Sequence, residues 1–193
     1  MPRPRLHDAA LRTRLLEVAS EVIATSGASA LTVRDVAARA ETSASAVYSL
    51  FGSKEALVEA VRAEAFDRFA AHLARAPRTA DPGADLLALG HAYRDSALAD
   101  PHFYAVMFGG ALPGEHGDET ADDPTFLVLR DAVTRLGPTG RAATEAALAL
   151  WGLVHGLVGL ELTGALPGGP DERRARYDRA LRAAGPALAG AGS

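Results

Sequence analysis

The side chains able to do covalent or metal chemistry in this sequence are few and poorly spaced for it. Six histidines, His7, His72, His91, His102, His116 and His155, include no pair four residues apart, the spacing at which two imidazoles on one helix close on a zinc ion. No serine sits in the glycine-framed pattern of a nucleophile elbow. With no cysteine, a thiolate nucleophile, a disulfide framework and a thiolate-held metal are all excluded. The acids on the predicted helices have solvent-face or capping explanations. No enzyme is expected, and no metal or other cofactor.

The chemistry that remains is non-covalent and begins with charge. Within the first 14 residues Arg3, Arg5, Arg12 and Arg14 stand against Asp8 alone. Residues 1–62 hold 8 basic and 7 acidic side chains, and the remainder 12 and 17, giving a net charge of −4 for the 193 residues. That balance argues against a protein that coats nucleic acid. A basic front on an acidic body instead suits a small DNA-binding module joined to a larger domain.

The elements that must position these groups read as helices throughout. Hydrophobic residues make up 48% and charged residues 23%, alanine and leucine dominate, and strand-like alternation is absent, which predicts an all-α chain. Leu11, Leu15, Val18, Ala19, Val22 and Ile23 recur at helical spacing, and Gly27 can close that helix. Thr32 with Asp35 opens a second helix to about Arg39, and Ser43 caps a third over 44–50. Ser53 then caps a long fourth helix whose stripe is Leu57, Val61, Ala65, Phe69 and Leu73. Further helices are expected from Pro82 to about Ala99, over 124–136, over 141–163 and over 171–184. Residues 109–123 read as a mobile surface loop, and 185–193 as a frayed end.

Two short helices joined by Ala40-Glu41-Thr42, with longer helices before and after, have the dimensions of a helix-turn-helix. The local sequence is more specific: Leu31-Thr-Val-Arg-Asp-Val-Ala37, then Ser43, then Val47-Tyr48-Ser-Leu-Phe51-Gly-Ser-Lys-Glu-Ala-Leu57. Over about residues 11–57 this resembles the DNA-binding signature of the tetracycline-repressor (TetR) family. Val33, Val36, Ala37, Val47 and Phe51 read as core. The resemblance implies that Tyr48 and Lys54 contact DNA phosphates beside a helix N-terminus. Arg34, near the start of the second helix, is a further candidate for phosphate. Base reading falls to the exposed face of the third helix, which offers Ser43, Ala44, Ser45, Ala46 and Ser49, with Thr42 a further DNA contact, and no Arg, Asn or Gln stands there. Specificity must then come from serine hydroxyls, methyl contacts with thymine, and DNA shape. Arg3 and Arg5 lie in an arm that either enters a minor groove or is a solvated tail. The family's turn often carries glycine where this sequence has Glu41, so the turn differs or packing offsets the strain. Leu50 likewise stands where histidine is common.

Beyond the front module Tyr93, Phe103, Tyr104, Met107, Phe108, Phe126 and Trp151 concentrate large apolar surface tipped with polar groups. They either fill a core or line a cavity; the family resemblance favours a cavity for a small hydrophobic or amphipathic effector. Trp151-Gly-Leu-Val-His155-Gly156 is similar to the Trp-x-x-x-His-Gly motif of one group of TetR ligand domains, which adds His155 to the lining. Gly152, Gly156 and Gly159 each weaken a helix interior by roughly 1 kcal/mol. Three together predict a second backbone close by, that of the same helix in another subunit, with Leu129 and the 124–136 helix completing a homodimer interface.

Residues 1–52 are thus expected to form an arm and a helix-turn-helix DNA-binding domain, 53–185 a ligand-binding and dimerisation domain, and 186–193 a disordered tail. The longest apolar run, 146–160, is too short to span a bilayer and carries His155, so it reads as a buried core helix. No membrane partner is expected and the location expected is cytoplasmic, without a secretory signal. The function these readings support is a regulator of transcription, a homodimeric repressor released from a near-palindromic double-stranded DNA operator by its effector. The rival is a helical small-molecule-binding protein or enzyme whose helix-turn-helix no longer binds DNA.

Overall fold

The computed structural model describes residues 5–108 and 124–189, and among them only helices and their connections occur. The helices are α1 (Arg5–Ser26), α2 (Val33–Arg39), α3 (Ala44–Phe51), α4 (Lys54–Leu73), α5 (Pro82–Ala99), α6 (Pro101–Phe108), α7 (Pro124–Thr134), α8 (Gly140–Leu162) and α9 (Pro170–Ala189). The expected loop 109–123 lies outside the described residues, as does Arg3.

Local chemistry sets most of the boundaries. The side chain of Thr32 accepts from Asp35 N–H at 3.1 Å, that of Ser43 from Ala46 N–H at 3.2 Å, and that of Ser53 from Ala56 N–H at 3.0 Å. Each satisfies an amide that the first turn of a helix leaves without an internal partner. Gly27 and Gly52 follow α1 and α3 with φ of +80° and +82°, where a side chain would be strained. Two ends differ from expectation. Helix α1 starts at Arg5, so Arg5 belongs to the helix and not to an arm. Helix α9 runs to Ala189, past the expected end at 184 and into the expected tail. Alanine and leucine at 187–189 are strong helix formers, and the turn carries on through Pro186.

The chain forms two compact units. The first comprises the described residues within Met1–Arg68 and Asp100–Gly114. Its core is Leu15, Leu16, Ala19 and Ile23 of α1, Leu31, Val36 and Ala37 around α2, Val47 of α3, and Leu57 and Val61 of α4, all essentially buried. Each such leucine, isoleucine or valine contributes roughly 1.5–3 kcal/mol by leaving water. Phe51 is only half-buried, with the Arg12 guanidinium 5.6 Å from its ring centre. Helix α6 also belongs here, packed on α1. Arg68 of α4 donates to Glu64 and to Asp100 at 2.8 and 2.9 Å, while its guanidinium lies 4.3 Å from the Phe103 ring centre.

The second unit comprises the described residues within Phe69–Ala99 and Glu115–Ser193. Helix α8 packs against α5, α7 and α9, around a cluster of Phe126, Val133, Ala143, Ala146, Ala147 and Leu150. Two acids assigned above to solvent faces or caps are buried here, because each meets a cation that sequence spacing does not reveal. Asp85 accepts from Thr79 N–H at 2.7 Å and from Arg135 at 2.8 Å, and Glu161 pairs with Arg94. Helix α9 lies close on α5: a Cβ added at Gly90 would come within 2.7 Å of Leu181 Cδ1.

Helix α8 corrects one expectation. Its apolar length exceeds 146–160, and by length and composition alone it is a helix able to cross a membrane. It is not a fully buried core helix either. One face holds Val154, Val158 and the ion-paired Glu161, while Leu148 and Leu160 on another face are exposed.

Candidate functional site

The short helix α3 is bounded by a cap at each end, Ser43 before it and Gly52 after it. Val47 points into the core, which turns the opposite face outward. On that face Ser43, Ser45, Tyr48 and Ser49 are exposed, Tyr48 by 52%, and Ala44 and Ala46 are half-exposed. An exposed phenol of that size beside small hydroxyl and methyl groups suits a flat, polar partner more than a core.

The turn before α3 keeps its left-handed residue despite lacking glycine. Glu41 has φ of +53°, the only non-glycine residue with positive φ among the described residues. The first alternative posed above, a turn of different geometry, is thereby set aside: the left-handed position is kept and a glutamate occupies it. Around it Ala40 is buried, and the Thr42 amide donates to Ala37 O at 2.9 Å, closing the turn.

The helices flanking α3 in sequence carry basic residues. Lys54 Nζ donates to Ser29 O at 3.2 Å, which holds the ammonium against the α1–α2 connection and leaves further protons for an anion. It stands in the first turn of α4, whose free amides also favour negative charge. Arg34 is exposed on α2, and Thr42 is half-buried.

The aromatic residues fall into two groups. Phe103, Tyr104, Met107 and Phe108 lie on α6 in the first unit: Phe103 beneath Arg68, and Tyr104 with its ring centre 4.9 Å from that of Phe108. Tyr93, Phe126, Trp151 and His155 lie in the second unit and form one chain of rings. The Tyr93 hydroxyl is 3.1 Å from His155 Nδ1, the His155 and Trp151 ring centres are 6.0 Å apart, and those of Trp151 and Phe126 are 6.3 Å apart. Phe69 extends the chain, edge-on to Tyr93 at 5.2 Å. Burial holds the His155 pKa below its ordinary value, so the ring is neutral at pH 7. Phe69 reads in sequence only as part of the α4 stripe, and nothing local marks it as a neighbour of Tyr93.

On α8 the exposed face is regular. Leu148, Gly152, Gly156 and Leu160 stand four apart and are all exposed, and Gly159 flanks them half-exposed. A Cβ added at any of the three glycines would meet nothing within 4 Å. Leu129 of α7 is half-buried against the Phe126 cluster, while Val128 is exposed.

Sequence reasoning missed the polar clasps. Arg94 and Glu161 lie 67 positions apart and His91 and Asp178 lie 87 apart, the latter pair 3.0 Å apart. Separations of that size leave no periodic signal. Among the described residues no group of three or more His, Cys, Asp or Glu able to hold a metal ion occurs.

Comparison with known proteins identifies the family. Residues 15–61 match a family described as bacterial regulatory proteins, tetR family, and residues 86–184 match the tetracyclin repressor-like C-terminal domain. An uncharacterized HTH-type transcriptional regulator of Mycobacterium tuberculosis, Rv0681, is 30% identical over 162 residues, covering 80% of this chain and 72% of its own. A TetR-like transcriptional regulator from Rhodococcus sp. RHA1 superimposes with a TM-score of 0.75 at 20% identity, over 98% of this chain and 99% of the other. The TetR family regulator PfmR from Thermus thermophilus gives 0.67 at 24% identity, over 88% and 97%. These names are those of regulators, not of enzymes.

Proposed function

Because this chain belongs to the tetR family of bacterial regulatory proteins and is a DNA-binding transcriptional regulator, we propose that it acts as a homodimeric repressor, released from a near-palindromic operator by a small hydrophobic or amphipathic effector. The observation that carries the DNA half is the outward face of α3. Tyr48 stands exposed there while Val47 is buried, and Lys54 and the first turn of α4 follow directly. A phosphate would meet a phenol, an ammonium and helix amides together, contacts that fix register without reading sequence.

Pairing is supported by the outer stripe of α8. Leu148, Gly152, Gly156 and Leu160 leave an apolar face on which a second backbone has room to approach. Two copies related by a two-fold axis would present two α3 helices to half-sites about one helical turn apart.

The effector region is supported by the chain of rings around Tyr93, His155, Trp151 and Phe126. It combines apolar faces with a neutral imidazole and a phenol that can orient one polar group of a ligand. Helix α4 supplies 54–68 to the unit that carries α3 and 69–73 to the unit that carries the rings. A ligand acting on the far end of α4 would move the near end, and DNA would weaken ligand binding by the same factor. Acting on DNA, the protein would work in the cytoplasm.

The test is a mobility shift with the duplex upstream of the protein's own gene, at low and moderate salt. Binding should weaken as salt rises, and Lys54→Gln should lower the slope by about 1. A compound that raises the melting temperature in a ligand screen should also release the duplex. Salt-insensitive binding ends the DNA proposal, and compounds that stabilise the protein but leave the duplex bound end the switch.

A further inference from the structure

The polar groups on the outer face of α3 are poor judges of base identity. Ser43 Oγ accepts from Ala46 N–H, and the Ser43 and Ser45 hydroxyls share one hydrogen bond of 2.9 Å, so one of their two protons is engaged within the helix. A serine hydroxyl that remains can donate to adenine, guanine or thymine and can accept from either amino group. It adds affinity without choosing. Ser49 has the same ambiguity, and 43–51 contain no Arg, Lys, Asn, Gln, Asp or Glu. The forked pairings that single out guanine or adenine have no side chain to make them.

The group on this face that can choose is apolar. Ala44 and Tyr48 are four residues apart and therefore neighbours on one side of the helix. Ala44 is half-exposed and Tyr48 more exposed still, so a methyl and an aromatic ring stand on one side of the helix among hydroxyls. The C5-methyl of thymine is the apolar group that the major groove displays. We infer that Ala44 and the Tyr48 ring select thymine through that methyl, which makes the protein a reader of thymine-bearing half-sites and not of guanine. The Tyr48 hydroxyl, at the rim of the ring, stays available to a phosphate. This inference rests on α3 entering the major groove, as proposed above.

The experiment uses the full chain to select duplexes from a random-sequence pool, then replaces single thymines of the recovered half-sites by deoxyuridine, which removes the methyl alone. Burial of one methyl corresponds to about fourfold in Kd, and the symmetric pair to about sixteenfold. Tyr48→Phe should weaken all sequences alike yet keep the uracil penalty, and Ala44→Gly should shrink that penalty. If duplexes are bound selectively and every thymine replacement leaves Kd unchanged within about twofold, well inside the shift a buried methyl predicts, the inference is overturned while the groove reading stands. If no common site emerges and Tyr48→Ala binds the pool as well as the native chain, the groove reading fails and the inference with it.

Discussion

Arg94 Nε and Nη2 donate to the two carboxylate oxygens of Glu161 at 2.8 and 2.6 Å, with each side chain only 6% exposed. This fork joins α5 to α8 inside the second unit. The Arg94 guanidinium also stands 5.8 Å from the ring centre of Tyr177, whose hydroxyl donates to Gly90 O at 2.7 Å. Helices α5, α8 and α9 are thereby tied together.

Removing one partner of such a pair leaves the other charge buried. Arg94→Ala is therefore expected to destabilise the protein by about 3–5 kcal/mol, whereas the double change Arg94→Met with Glu161→Leu should cost far less. Urea unfolding of the native chain and the two variants checks this. A double variant no more stable than Arg94→Ala would contradict it.

Glu41 is held at a positive φ in the turn before α3. Glycine adopts that conformation without the side-chain clash, so Glu41→Gly should raise stability by about 1 kcal/mol after its own entropy is counted. A melting temperature that falls would show that the Glu41 side chain holds the turn in a way its backbone geometry does not reveal.

The His155 pKa is lowered by burial. The unfolded chain then binds more protons than the folded one, and stability rises with pH in the interval between the two values. The contribution is fully present above the unfolded value of about 6.5 and is lost as pH falls through the lower folded value. Chemical denaturation of the native chain and of His155→Gln across that interval should show the pH-dependent loss in the native chain and a smaller one in the variant. Parallel curves would place the titrating group elsewhere.

The outer glycines of α8 have room for a side chain within their own chain. Gly156→Leu should leave helix content unchanged while weakening self-association, read by sedimentation at several concentrations. A variant that stays dimeric would move the interface off this face.

How much of this was legible beforehand depends on the range of the interaction concerned. The caps Thr32, Ser43 and Ser53, the closing glycines Gly27 and Gly52, and the inward set Val33, Val36, Ala37 and Val47 are all readable in sequence. Each depends on hydrogen bonds or periodicity spanning only three or four residues. The helical start at Arg5 was hidden because the two prolines before it read as an arm, and the end of α9 because Gly185-Pro186 reads as a stop.

In the candidate site the exposure of Tyr48 followed from the burial of Val47 next to it. The clasp of Lys54 on Ser29 O, the ring chain that draws in Phe69, and the separation of Phe103 from Trp151 into different units did not. The amino-acid order by itself determined that this is an all-helical chain with a helix-turn-helix at its front, because capping and amphipathic spacing are local properties of the chain. Tertiary structure alone decided which acids are buried, which cation each one meets, and which glycines stay open, because those partners lie tens of residues apart and meet only when the helices pack.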